Sequence, residues 1–141
     1  MSQSAETAYP IPTVRLVVTD AEGRVLILRR QKTRHSDGQW CLPGGKVAYG
    51  ETVEESVRRE LKEETGLDCL EARFLFYQDS LPLQAGRMHC INFYFECQTA
   101  GSVVLDQESS DFLWIGREEL PQTELVFRNG EGLAVYWDSD Y

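Results

Sequence analysis

The chain has 141 residues, about the size of one domain, and its composition of 42% hydrophobic and 26% charged residues is that of a soluble globular protein. Its net charge of −9 repels nucleic-acid backbones, no apolar run approaches a membrane span, and Met1 to Pro10 lacks the pattern of a secretion signal; the reading is a cytoplasmic protein with no nucleic acid polymer and no membrane as partner. Four cysteines without a C-x-x-C pair and only two histidines argue against zinc and for free buried thiols.

Residues 1–12 end in Tyr9-Pro10-Ile11-Pro12 and read as an N-terminal tail, leaving 13–141 as a single domain. Two β-rich runs, Thr13 to Thr19 and Arg24 to Arg29, flank Asp20-Ala21-Glu22-Gly23, whose turn chemistry predicts a hairpin. Residues 31–38 form a polar loop containing Arg34, His35 and Asp37, and Trp40-Cys41-Leu42 is a short strand stopped by Pro43.

A glycine turn at Gly44-Gly45 then delivers the chain into a helix. Thr52 and Glu55 have the spacing of a capping box, and Gly66 suits a left-handed C-terminal cap. On a helical wheel Val53, Val57 and Leu61 share the stripe that must be buried. Glu64 falls inside that stripe beside Glu60, and Glu63 borders it. Like charges at i and i+4 repel, so semi-buried carboxylates placed this way call for a cation, and an all-oxygen ligand set suits Mg²⁺ or Mn²⁺. Arg59, one turn before Glu63, is placed to hold that carboxylate.

Beyond the helix, Cys69 to Asp79 predicts a strand with Phe74, Phe76 and Gln78 on one face and Leu75, Tyr77 and Asp79 on the other. Residues 81–86 are a loop or hairpin turn. Met88 to Cys97 is a strand with Ile91, Phe93 and Phe95 opposite Asn92 and Tyr94; Val103 to Leu105 and Phe112 to Ile115 are shorter ones. A helical turn is expected at Arg117 to Leu120, ahead of Pro121, and a final helix from about Gly130 to Trp137 capped by Asn129. Strands around a central helix, with a second helix at the end, indicate a mixed sheet between helices, α/β or α+β. Trp40, Tyr77 and Tyr94 could stack a base, with core or rim packing the favoured reading for each.

The whole pattern from Gly45 to Leu67 (Gly45, Glu51, Arg59-Glu60-Leu61, Glu63-Glu64, Gly66-Leu67) resembles the complete signature of the Nudix hydrolase family. Average residue usage makes a chance match on the order of one in 10⁸ at a given start. Gly38, Trp40 and Leu42-Pro43 ahead of it resemble the usual entry to that signature. The resemblance implies an α/β fold of the Nudix type, an α/β/α sandwich. It implies metal-dependent hydrolysis of a pyrophosphate bond in a nucleoside diphosphate linked to another moiety, either a nucleotide sugar such as ADP-ribose or a nucleoside triphosphate. It further implies Mg²⁺ or Mn²⁺ as cofactor, a small-molecule nucleotide as substrate, and homodimers among relatives. By resemblance Glu60, Glu63 and Glu64 hold the metal with the Gly45 carbonyl, Glu51 contributes through a water, and Arg59 orients a carboxylate. Arg29 and Arg30 end a strand where relatives often keep a phosphate-binding arginine. Glu108 matches a loop position used as ligand or general base, so Glu64 and Glu108 both stand as candidate bases, with Asp106 or Asp111 as substitutes for Glu108. The alternative is a non-catalytic Nudix-like module that senses a nucleotide, which would be expected to lack some of these glutamates.

Overall fold

A computed structural model describes residues 9–32, 37–83 and 88–139. In chain order the elements are β1 (Ile11–Val18), β2 (Val25–Arg30), β3 (Trp40–Cys41), β4 (Gly44–Lys46), α1 (Val53–Thr65), β5 (Asp68–Ser80), β6 (Cys90–Ala100), β7 (Ser109–Ile115), a 3₁₀ helix (Arg117–Gln122) and α2 (Asn129–Asp138). Val14, Leu16, Val17 and Val18 are fully buried, because β1 is covered on both faces. It runs parallel to β6 and antiparallel to β4 in a mixed four-stranded sheet of order β4-β1-β6-β5. An antiparallel sheet of order β3-β2-β7 stands beside it.

Alternation along β1 and β6 divides the interior in two. Val14, Leu16, Phe95 and Cys97 face α1 and pack on Val57 and Leu61. Val17 and Tyr94 face the other way, onto Leu133 of α2. This is the expected α/β/α sandwich, and β2 sends Leu26 and Leu28 into one core and Val25 and Ile27 into the other. Complete burial of Val57 and Leu61 contributes about 1.5–3 kcal/mol each and presses α1 onto the sheet. No helix among the described residues is long and apolar enough to cross a membrane.

Several local readings change. β1 begins at Ile11, because Ile11 and Pro12 continue the register with Cys90 and Ile91. The turn at residues 20–23 forms as expected, with Asp20 Oδ1 accepting the N–H groups of Glu22 and Arg24. Its flanking strands share only the Thr19–Val25 bridge and then part into separate sheets, so they make no hairpin ladder. Gly44 and Gly45 are strand rather than loop. Register shifts on either side of Leu70 and Leu75 reverse the alternation of β5. Phe74 therefore meets Phe93 and Phe95 on the α1 face, while Phe76 stacks on Tyr94 on the α2 face. Residues 103–105 lie outside any strand; the Val104 N–H goes to the Thr65 carbonyl at the end of α1. Asn129 is the first residue of α2 and not its cap: its Oδ1 accepts the Leu42 N–H. Arg34 and His35, and residues 84–86 of the predicted turn, lie outside the described residues.

Gly132 brings α2 against Tyr94 so closely that a Cβ there would enter the phenol ring. Gly132→Ala is expected to cost about 1–3 kcal/mol by overpacking. Tyr94→Leu in that background should restore part of the loss in a urea titration; strictly additive effects of the two changes would show that the contact does not limit stability.

Candidate active site

The site is built where β4 lies against the acidic side of α1. Gly44 holds φ +152°, and a Cβ on it would run into the Val14 carbonyl, so only glycine lets β4 pair this closely with β1. A Cβ on Gly45 would strike the Glu60 carboxylate. The Thr52–Glu55 capping box starts α1 and Gly66, at φ +74°, ends it, so its phase is fixed at both ends. In that phase Glu64 Oε1 accepts the Gly44 N–H at 3.0 Å.

Arg59 organises the other carboxylates. Its Nε and Nη2 grip Glu51 at 2.6 and 3.0 Å, Nη1 reaches Glu60 and Glu63 at 3.2 Å each, and Nη2 also donates to the Lys46 carbonyl at 3.2 Å. Arg59, the Ser56 hydroxyl and the Ala48 N–H together hold the Glu51 carboxyl down at about 2. Glu51 is thus the anchor of Arg59. Burial pushes Glu60 above the usual carboxylate range, and pushes Glu64 well above it, where the neighbouring Glu60 charge adds to the effect. Two adjacent acids placed this way resist carrying two full charges when no cation lies between them. Glu63 is not brought to the pair: its side chain is 56% exposed and turned to Arg59. Among the described residues no three acidic, histidine or cysteine side chains stand close enough together to enclose a metal ion. Glu60 and Glu64 beside Gly45 nevertheless offer adjacent hard oxygens, a donor pair that fits a divalent cation.

A pocket opens beside Glu64, walled by Arg15, Arg30, Lys32, Gly44 and Glu108. Glu108 enters from the loop before β7. Asp106 spends an oxygen on the Glu108 N–H, and Asp111 on the Phe112 N–H; neither lines the pocket. Arg30 faces the pocket, whereas the Arg29 guanidinium is tied to the Gly38 carbonyl at 3.0 Å. Tyr77 is 62% exposed on β5, the outermost strand of its sheet, and does not line the pocket. Tyr94 is corrected: fully buried in the α2 core, its hydroxyl bonded to Gln78, it has no face left for a base. Arg15, on the pocket wall, and Phe127, whose ring lies against Arg15 and Arg30, are not among the sequence candidates. A charge inside the run Val14-Arg15-Leu16-Val17-Val18 was the available signal for Arg15; nothing in the sequence marks Phe127.

A family model described as the NUDIX domain matches residues 10–136. The nucleoside triphosphatase NudI of Enterobacter sp. (strain 638) is 32% identical over 97 residues, covering 62% of this chain and 69% of that protein. The 8-oxo-dGDP phosphatase NUDT18 of Homo sapiens is 31% identical over 113 residues, 77% of this chain and 33% of its own. A Caenorhabditis elegans relative, 35% identical over 114 residues, is likewise spanned over only 29% of its length. Among solved structures, the MutT protein of Methanosarcina mazei Go1 superposes with a TM-score of 0.81 at 25% identity, over 94% of this chain and 95% of that one.

The acidic pair makes stability depend on pH. The folded pair holds its protons more tightly than an ordinary glutamate at 4.5, so its stabilising contribution is complete below pH 4.5 and is lost as pH rises through the folded values. In chelator, Glu64→Gln should therefore melt higher than the parent at neutral pH, with the gap closing towards pH 4.5. Parallel melting curves across that range would disprove the strained pair.

Proposed function

The chain belongs to the NUDIX domain family, and on that premise we propose that it is a metal-dependent pyrophosphohydrolase of small nucleotides. The observation that carries this reading is the half-buried Glu60–Glu64 pair, whose Glu64 opens onto a pocket that also holds cationic side chains. Glu60 and Glu64 would hold a Mg²⁺ or Mn²⁺ ion, with the exposed Glu63 and the Gly45 carbonyl as further oxygens. Bound there, the ion supplies neutralisation of charge on the diphosphate oxygens and a lowered pKa for water.

The chain's own residues supply positioning and a base. Arg59 holds Glu60 by a charge-assisted bond while its grip on Glu51 keeps the guanidinium from swinging away. Arg30 meets substrate phosphate at the pocket wall. Glu108, which lines the same pocket as Glu64, accepts the proton of the water that attacks phosphorus; Glu64 is the other candidate for that role. The bond broken is the phosphorus–oxygen bond of the anhydride. The names of the relatives support nucleoside di- and triphosphates as substrates, and nucleotide sugars share the same anhydride.

A panel of nucleoside triphosphates, their oxidised forms, nucleoside diphosphates and ADP-ribose should contain a substrate that is cleaved with Mg²⁺ or Mn²⁺. Chelation should stop the reaction and added metal restore it. Hydrolysis in ¹⁸O water should label a phosphate product; label in a sugar hydroxyl, or undiminished turnover in chelator, would exclude the mechanism. Glu64→Gln should lower turnover by about 10²–10⁴. Glu108→Gln should lower kcat more than it raises KM; an unchanged kcat leaves Glu64 as the base.

A further inference from the structure

Arg15 is a buried charge whose field reaches Glu64 but which closes no ion pair with it. It is 7% exposed, lies in β1 between two fully buried residues, and its Nε has no hydrogen-bond partner. Arg30 repeats the arrangement, with Nε likewise buried and unpartnered. Both guanidinium carbons stand 4.7 Å from the centroid of the same Phe127 ring. The ring face attracts each cation, but two like charges brought to one ring repel each other. A buried guanidinium that closes no hydrogen-bonded carboxylate pair recovers little of its desolvation cost, even with Glu64 in the same pocket. The free protein carries that instability at a pocket wall, which is where an incoming anion would remove it.

The position of Arg15 narrows the choice of anion. Its strand partner is Gly44, whose N–H holds Glu64, so Arg15 starts one rung from the acidic pair and shares the pocket with it. Lys32 adds a third cation to the same wall. A base edge would accept hydrogen bonds here yet leave the charges uncompensated, whereas a phosphate compensates them and matches the guanidinium fork. A diphosphate neutralised by a metal at Glu60 and Glu64 has little charge left to give.

We infer that Arg15, together with Arg30 at the Phe127 ring, is a specificity-determining residue that binds a phosphate additional to the diphosphate handled at Glu60 and Glu64, so that nucleoside triphosphates are preferred to nucleotide sugars. The diphosphate half of this statement rests on the pyrophosphohydrolase reading; the anion half rests on the pocket alone.

Two measurements keep those halves apart. The first uses inorganic tripolyphosphate in chelator, with no metal and no turnover. It should raise the thermal midpoint of the parent, raise that of Arg15→Lys less, and leave Arg15→Met unmoved. Arg15→Met should by itself melt no lower than the parent, since it removes an unpartnered charge and keeps the apolar length. Equal stabilisation of parent and Arg15→Met, no stabilisation of the parent, or a large loss of stability in Arg15→Met with anion binding retained would each overturn the assignment, the last by making Arg15 a structural prop for Phe127. The second compares kcat/KM for a nucleoside triphosphate and for ADP-ribose. Arg15→Met should lower the first by roughly 30-fold, mainly through KM, and the second far less. Equal losses would place Arg15 on the shared diphosphate and refute the additional phosphate. Failure of every panel substrate would strike the pyrophosphohydrolase reading, and with it the substrate preference, while the tripolyphosphate test would still decide the anion site.

Discussion

Arg59 gives one guanidinium to Glu51, Glu60, Glu63 and the Lys46 carbonyl, and the site depends on how that single charge is divided. The share is unequal. Glu51 takes two short bonds and is held far down as an anion; Glu60 and Glu63 receive one longer bond each from the same nitrogen. Glu64 receives none and is left to a backbone N–H. Charge compensation therefore runs out just where the carboxylates are most deeply buried. A helix with a second arginine at this point would be more comfortable and would have nothing to offer a metal. The contact to the Lys46 carbonyl also ties α1 to β4, so the residue that rations the charge also fixes the distance between strand and helix.

The cationic residues of the pocket carry the reverse imbalance. Arg15, Arg30 and Lys32 line one pocket together with Glu64 and Glu108 in a protein whose net charge is −9. A bound metal would turn the acidic group from a repeller of phosphate into an attractor, and both groups would then favour the same anion. Without it the two groups oppose each other. Metal and nucleotide are accordingly expected to assist each other's binding, with a sign set by Coulomb's law.

The parts legible in the sequence are those made by short-range rules. The α1 phase follows from Val53, Val57 and Leu61 at helical spacing, and its ends from Thr52, Glu55 and Gly66, which need no knowledge of the rest of the chain. The placement of Glu60 and Glu64 comes with that phase. The rest depends on distant partners. Gly44 and Gly45 look like a loop until β1 is known to run beside them. The alternation of β5 reads correctly within each segment and fails at Leu75, because the bulge is set by the register with β6. Tyr94 resembles a surface aromatic of a half-buried strand until α2 is laid over it through Gly132. Asn129 has the chemistry of a cap, but its oxygen is claimed by Leu42, 87 residues away.

Phe127 and Arg128 show how the fold holds the cationic wall in place. Both take positive φ, 61° and 59°, a conformation costing on the order of 1–3 kcal/mol per non-glycine residue unless the surroundings enforce it. The enforcement is visible. The Arg128 carbonyl accepts Gln78 Nε2 at 3.0 Å, and its guanidinium is paired to Glu131 and bonded to the Asp79 carbonyl. Asn129, immediately after, joins Leu42 to Tyr94 inside the α2 core. The segment entering α2 is thus clamped to β5, β6 and the chain just after β3, and the clamp turns the Phe127 ring onto Arg15 and Arg30. The α2 core, which holds none of the acidic residues of the site, is in this way responsible for where the pocket keeps its positive charge.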